Sequence, residues 1–191
     1  MAPYKEQDDQ AAFEEFKIAL ERRMGRKLYR WATVRSCGGC TACCKTHQVT
    51  EVGTDAGELC QFAAIGEGCS IYAKRPFECR LYACWWLRGK GEESDRPDRL
   101  KVVMDDREVT LNGWVIGVVD LHEVEPGAIN QPRVRQLTDA FLQQGAVVCH
   151  WFLAPDEAIL PGGERYTRAY LLPEGLFTQA EKDLLLATAE K

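Results

Sequence analysis

Apolar side chains recur every three or four positions near the start of the chain, at Phe13, Phe16, Leu20, Met24, Leu28 and Trp31. Glu14, Glu15, Glu21, Arg22 and Arg23 stand between them. That period predicts an amphipathic helix with one core-facing stripe, for which Asp8 or Asp9 is a fitting N-cap. Over residues 36–70 the period disappears. Gly, Thr, Ser and Cys dominate, and the segment is expected to be irregular loop ordered by ligation rather than by a core of its own. Arg75-Pro76 marks a helix start, because proline is favoured in the first turn, and Gly89 with Gly91 marks its end. Residues 89–98 then read as a charged linker.

The pattern changes again beyond that linker. Residues 100–105 and 109–121 are rich in Val and Ile and contain Asn112-Gly113, a hairpin turn signal, so strands are expected. Asn130 as N-cap, Pro132 in the first turn, an apolar face of Val134, Leu137, Phe141 and Leu142, and Gly145 as the stop describe a helix. Residues 146–153 read as a buried strand and 166–172 as another, stopped by Pro173. Thr178 with Glu181 forms a capping box that opens a last helix through Leu184, Leu185 and Ala187. The expected fold is α+β in one domain, 1–191: an N-terminal amphipathic helix, an irregular Cys-rich metal-binding segment at 36–88, and a mixed strand and helix portion at 100–191.

Composition removes several classes. Apolar residues make up 46% and charged residues 28% of 191 residues, which excludes a disordered or collagenous chain. The longest relevant apolar run, 114–119, is far short of the roughly 20 residues of a membrane span. The first residues show no cationic start followed by an apolar stretch, so the expected location is cytoplasmic, with no membrane partner. A net charge of −5 argues against a general nucleic-acid binder.

The charge is unevenly spread, however. Residues 69–90 carry Lys74, Arg75, Arg80, Arg88 and Lys90 against Glu78 alone. This positive island offsets the negative charge of a thiolate-bound metal, with Tyr72, Phe77, Tyr82, Trp85 and Trp86 forming the small core around it. The sharper reading makes the same aromatics a single-strand stacking surface. We prefer the first, in which Arg75 and Arg80 donate to sulfur from behind the ligands.

Nine cysteines are the strongest signal, and in a reducing compartment they point to metal rather than disulfides. Eight of them, Cys37, Cys40, Cys43, Cys44, Cys60, Cys69, Cys79 and Cys84, fall within 37–84. Adjacent Cys43 and Cys44 do not converge readily on one tetrahedral ion, so they are expected to serve different ions or different corners of a cluster. Eight thiolates divide into two sets of four, or build one polynuclear centre. A zinc ribbon uses paired C-x2-C knuckles, and only the first half has them. Cys37, Cys40 and Cys43 match the C-x2-C-x2-C run of bacterial ferredoxins, but no proline follows Cys79. Iron, as an iron-sulfur cluster, and zinc both stay open. Cys84 lies about 140° around a helix from Cys79, so either the helix breaks near Leu81 or Cys84 serves another centre.

Cys37-x2-Cys40-x2-Cys43-Cys44, followed by Gly68-Cys69-Ser70-Ile71-Tyr72 and Arg75-Pro76-x2-Cys79-Arg80, resembles the CxxCxxCC family, also called YkgJ-type. The resemblance covers roughly residues 36–88. It implies a zinc- or iron-chelating domain whose chelating set is the eight cysteines above. Some longer relatives are linked to methylation of flagellin lysines, which leaves an enzyme open; no Gly-rich strand-to-helix turn for a nucleotide-like cofactor is present.

The remaining candidates read as structural. His47 is expected to hydrogen-bond rather than ligate, and Cys149 to be a small buried residue. Cys149 and His150 are neighbours on a strand and point to opposite faces, which argues against a catalytic pair. The carboxylate pairs Asp105-Asp106 and Glu92-Glu93 are expected in solvated turns. No Ser-His-Asp or phosphate-loop spacing occurs. The expected function is a metal-binding protein with a Cys-ligated iron or zinc centre. A redox or protein-modifying enzyme using that centre, acting on a protein or peptide partner, is the first alternative; a zinc module for protein or nucleic-acid interaction is the second.

Overall fold

The computed structural model describes residues 10–24, 33–111, 113–155 and 164–189. The chain divides into two compact units, Met1–Glu92 and Glu93–Lys191. Their boundary falls inside the charged stretch at 89–98, so the cysteine-rich segment lies in the first unit and the α+β portion in the second.

In the first unit, α1 (Gln10–Met24) carries Phe13 and Phe16, the first two positions of the expected stripe. Phe13 is buried and meets Phe77 edge-on at 5.2 Å, with Phe16 at 5.5 Å from the same ring. The expected cap at Asp8 or Asp9 and the continuation to Leu28 and Trp31 lie outside the described residues. Residues 36–70 are mostly turns, as their lack of period implies. The regular pieces are one helical turn, α2 (Cys43–Thr46), a 3-10 turn at Thr50–Val52, and a minimal antiparallel pair, β1 (Ala63–Ala64) with β2 (Gly68–Cys69).

The helix expected from Arg75-Pro76 to Gly89 is much shorter. α3 spans Phe77–Leu81 with Pro76 as its N-cap, and Tyr82 is already extended at φ −90, ψ 135. Phe77 and Leu81 bury one side of this short helix against α1. Trp86 and Leu87, which would have prolonged it, are instead buried in the turns beyond.

The second unit opens with a 3-10 turn, Glu93–Asp95, and α4 (Pro97–Leu100). The linker reading fails here for a clear reason: Asp95 is fully buried and takes a two-pronged bond from Arg133, at 2.8 and 2.7 Å. A carboxylate so placed needs a cationic partner, and Arg133 on α5 (Pro132–Gln143) supplies it.

Next in the chain is a four-stranded sheet in the order β3 (Val102–Leu111), β4 (Trp114–Glu123), β5 (Val147–Leu153), β6 (Tyr166–Leu171). The β3–β4 hairpin turns through Gly113, whose φ of +84 suits glycine. Asp105 and Asp106 lie within β3, opposite Asp120 and Val119, rather than in a turn. β4 and β5 are parallel, joined through α5, while β6 returns antiparallel. α5 begins after Gln131, not Asn130, and buries Val134, Leu137 and Phe141. Thr138 on α5 meets His150 Nε2 at 3.2 Å, fixing the sheet face it covers. The opposite face carries Asp120, Cys149 and Tyr170 in register.

The last helix, α6 (Gln179–Ala189), has the expected capping box: Thr178 N–H and O–H both donate to Glu181 Oε2 at 2.8 Å. The α+β class stands. Among the described residues no helix is long and apolar enough to cross a membrane.

Candidate metal centre

The geometry of the eight cysteines arises from local turns. Cys40 N–H donates to Cys37 O at 2.9 Å, closing a turn through Gly38 at φ +52 and Gly39. Cys43 and Cys44 then begin α2, where successive side chains diverge by about 100°. The two thiols nonetheless stay within hydrogen-bond reach of one another.

The segment after Cys44 folds back onto it. Gly57 N–H donates to Lys45 O at 2.7 Å and Cys60 N–H to Cys44 O at 2.9 Å. Ala63 N–H returns to Cys60 O at 2.9 Å, and Ala63 pairs with Cys69 across the β1–β2 ladder. Cys79 stands on α3, whose start is tied down by Arg75 Nε–H to Cys79 O at 3.3 Å. Cys84 lies beyond the end of α3. The backbone N–H groups of Val34 and Arg35 both donate to Leu87 O, at 3.1 and 3.3 Å, which brings the Cys84 segment beside the one that leads into Cys37.

The thiols also act on one another electrostatically. Cys79 is pushed up to about 12, first by burial and then by Cys44, Cys60 and Cys69, with Glu51 adding to it. Cys69 is raised by burial, against a backbone N–H from Ile71, and by Cys44 and Cys60. Cys43 is held well above its ordinary value by its hydrogen bond to Cys44, by burial, and by Cys44, Cys37 and Cys84. Cys44, the acceptor of that bond, falls to about 7 against the effect of burial, helped by the charge of Arg75. Two overlapping neighbourhoods result: Cys44 and Cys60 act on Cys69 and Cys79, while Cys44, Cys37 and Cys84 act on Cys43, so Cys44 belongs to both.

Among the described residues no group of three or more His, Cys, Asp or Glu side chains is drawn close enough to hold an ion as it stands. The donor chemistry fits a metal nonetheless. Each neighbourhood offers soft sulfur ligands, all eight partly exposed, of the kind that bind Zn²⁺ or an iron-sulfur cluster. Thiolates crowded together repel one another, and a bound cation reverses that sign.

Of the two arginines expected behind the ligands, Arg75 lies over the Tyr72 ring at 4.2 Å and acts on Cys44. Arg80 sits one step further back, its Nε–H donating to Arg75 O at 2.8 Å and its guanidinium over Phe77 at 5.4 Å. His47 meets Thr46 Oγ1 at 2.7 Å and packs on Tyr82 at 4.4 Å. Cys149 is fully buried in the sheet of the second unit, where burial first, and Asp120 next, push it up to about 12. Of the five aromatics expected to form a small core there, Phe77 and Trp86 are buried, Tyr82 and Trp85 are half-buried, and Tyr72 is exposed.

Sequence reasoning missed three features. Glu51 and Glu78 exchange backbone-to-carboxylate bonds, at 2.8 Å to Glu51 Oε2 and 3.4 Å to Glu78 Oε2, tying the Thr50–Val52 turn to α3. Glycines at 38–39 and 66–68 cross so closely that a Cβ on Gly68 would lie 2.6 Å from Gly38 O, and one on Gly39 would strike Gly66 O. The pairing of Gly-Gly between Cys37 and Cys40 with Gly66 and Gly68 before Cys69 was the available signal. The third is Arg35, whose long-range contacts left no local trace. No family model, curated protein or solved structure matches the chain.

Proposed function

We propose that residues 36–88 form a metal-binding module with two four-thiolate centres: an inner one on Cys44, Cys60, Cys69 and Cys79, and an outer one on Cys37, Cys40, Cys43 and Cys84. The observation that carries this reading is the course of the backbone: the chain at Cys60 returns to Cys44, while the segment beyond Cys84 meets the one leading into Cys37. Iron held as iron-sulfur is the first assignment and zinc the alternative, in keeping with the resemblance to the CxxCxxCC family and with a reducing, cytoplasmic setting. A site with four protein sulfurs leaves no open position for substrate, so its chemistry is electron transfer for iron-sulfur, or structural for zinc, rather than Lewis-acid hydrolysis. The chain's own contribution is to orient the sulfurs and to offset their charge through Arg75.

Anaerobic purification of the full chain, then elemental analysis, acid-labile sulfide and an absorption spectrum, tests this. Iron with sulfide and visible absorption supports redox use. A colourless protein with two zinc ions favours a module for protein interaction. A chain without metal above trace, whose eight thiols all titrate freely, would overturn the proposal.

A further inference from the structure

Arg35 makes a set of contacts unlike those of any ligand. Its guanidinium donates through Nη1 to Trp86 O at 3.1 Å and to Lys90 O at 2.8 Å, and through Nη2 to Gly91 O at 2.8 Å. It also lies over the Trp86 ring, 4.9 Å from the centroid. The backbone beneath it is fastened by the Val34 and Arg35 N–H bonds to Leu87 O. Trp86 and Leu87, which anchor the receiving side, are 5% and 6% exposed. Gly89, at φ +86, lets Val34 approach so closely that a Cβ there would strike the Val34 side chain.

We infer that Arg35 is the positioning residue of the outer centre, a three-carbonyl staple that holds the segment leading into Cys37 against the segment leaving Cys84 whether or not metal is bound. This rests on the two-centre reading above. In chain order the inner set, 44 to 79, is nested between Cys43 and Cys84, so the outer set must close the longest loop in the module. Without a fastening, Cys37 and Cys84 are separated by about 46 residues. Through the staple they are separated by about 5, and through a filled inner centre by about 12. The probability of closing a loop falls as the three-halves power of its length, so the staple favours outer closure by roughly 4-fold when the inner centre is filled and roughly 30-fold when it is empty. The two backbone bonds to Leu87 survive a side-chain change, so these figures bound the loss.

Guanidinium geometry is the point of the contact. A fork of N–H groups spans three carbonyls that one ammonium does not reach, so lysine is not a substitute.

The test is per-cysteine alkylation, read by mass spectrometry, of the metal-loaded full chain and its Arg35→Ala and Arg35→Lys variants, with metal content measured alongside. Both variants are expected to expose Cys37, Cys40, Cys43 and Cys84 several-fold faster than wild type, while Cys44, Cys60, Cys69 and Cys79 stay protected. Equal exposure of all eight thiols in the variants would show that Arg35 merely holds the unit together and would overturn the inference, as would wild-type rates at the outer four. A wild-type chain with all eight thiols reactive and no metal would instead remove the two-centre reading itself.

Discussion

Replacing Gly68 with alanine tests the crossing of the two glycine segments, and the structure sets its cost. Gly68 has φ +104, a conformation that side chains rarely adopt, and the added methyl would lie 2.6 Å from Gly38 O. The obstacle is backbone, which does not swing aside as a side chain tip does. Holding a residue other than glycine in such a conformation costs about 1–3 kcal/mol. Forcing a methyl into a filled space costs a further ~1–3 kcal/mol.

Gly53→Ala separates the two contributions, because Gly53 has φ +64 with nothing within 4 Å of its would-be Cβ. It should lose only the backbone part, about 1–2 kcal/mol. Gly68→Ala should therefore be less stable than Gly53→Ala by about 1–3 kcal/mol, a further fall in Tm of about 4–8 °C for each kcal/mol in a unit of this size. Equilibrium denaturation of both variants, with bound metal measured on the same samples, gives the comparison. Because Gly68 precedes Cys69 and Gly38 comes directly after Cys37, metal retention should drop with Gly68→Ala and hold with Gly53→Ala. Equal stability and equal metal content in the two variants would refute the crossing as a determinant of the site.

Two other outcomes are expected. Cys79→Ser should remove the inner centre and Cys84→Ser the outer, each leaving metal on the other set; loss of all metal in both variants would point to one polynuclear cluster instead. His122 is pulled down from 6.5 to about 3 by burial, with Arg107 adding to it. The native state therefore keeps it neutral while the unfolded chain takes up a proton below about pH 6.5, so stability present above that pH is lost as pH falls toward 3. His122→Gln should flatten this acid limb, by about 2–3 kcal/mol between pH 7 and about pH 4.5, read from denaturant midpoints. His150, also lowered by burial, is common to both proteins, and an unchanged slope would rule out His122 as the source.

Local chemistry made much of the second unit legible. The Asn112-Gly113 signal, the Val-rich runs and the Thr178–Glu181 box each act within a few residues, and the strands and final helix appear where they point. The misreadings have tertiary causes. Residues 89–98 read as linker because their charge is high, yet Asp95 is buried against a partner 38 positions away. The helix after Pro76 was overextended because nothing in Leu81-Tyr82-Ala83 breaks a helix. It stops where burial of Trp86 and Leu87 competes with continuing the hydrogen-bond ladder. In the first unit, thiol identity and number were plain from the sequence, whereas Arg35 and the Gly39–Gly66 approach depend on segments that meet only after folding.

The early end of α3 also resolves the spacing of Cys79 and Cys84. On one continuous helix the two thiols would sit on different sides of a rigid rod, and bringing both to the module would strain it. With the helix ended at Leu81, Cys79 stays on the turn that Arg75 and Glu51 hold, while Cys84 travels with the strand of chain that meets Val34 and Arg35. Cys43 and Cys44 sit side by side at the start of α2, their thiols hydrogen-bonded to one another. A duplicated cysteine at one end and a broken helix at the other let a short segment serve two thiol neighbourhoods. The proposed pairing of 43 with 84 and 44 with 79 follows from that helix end and from the contact of the Cys84 segment with Val34 and Arg35.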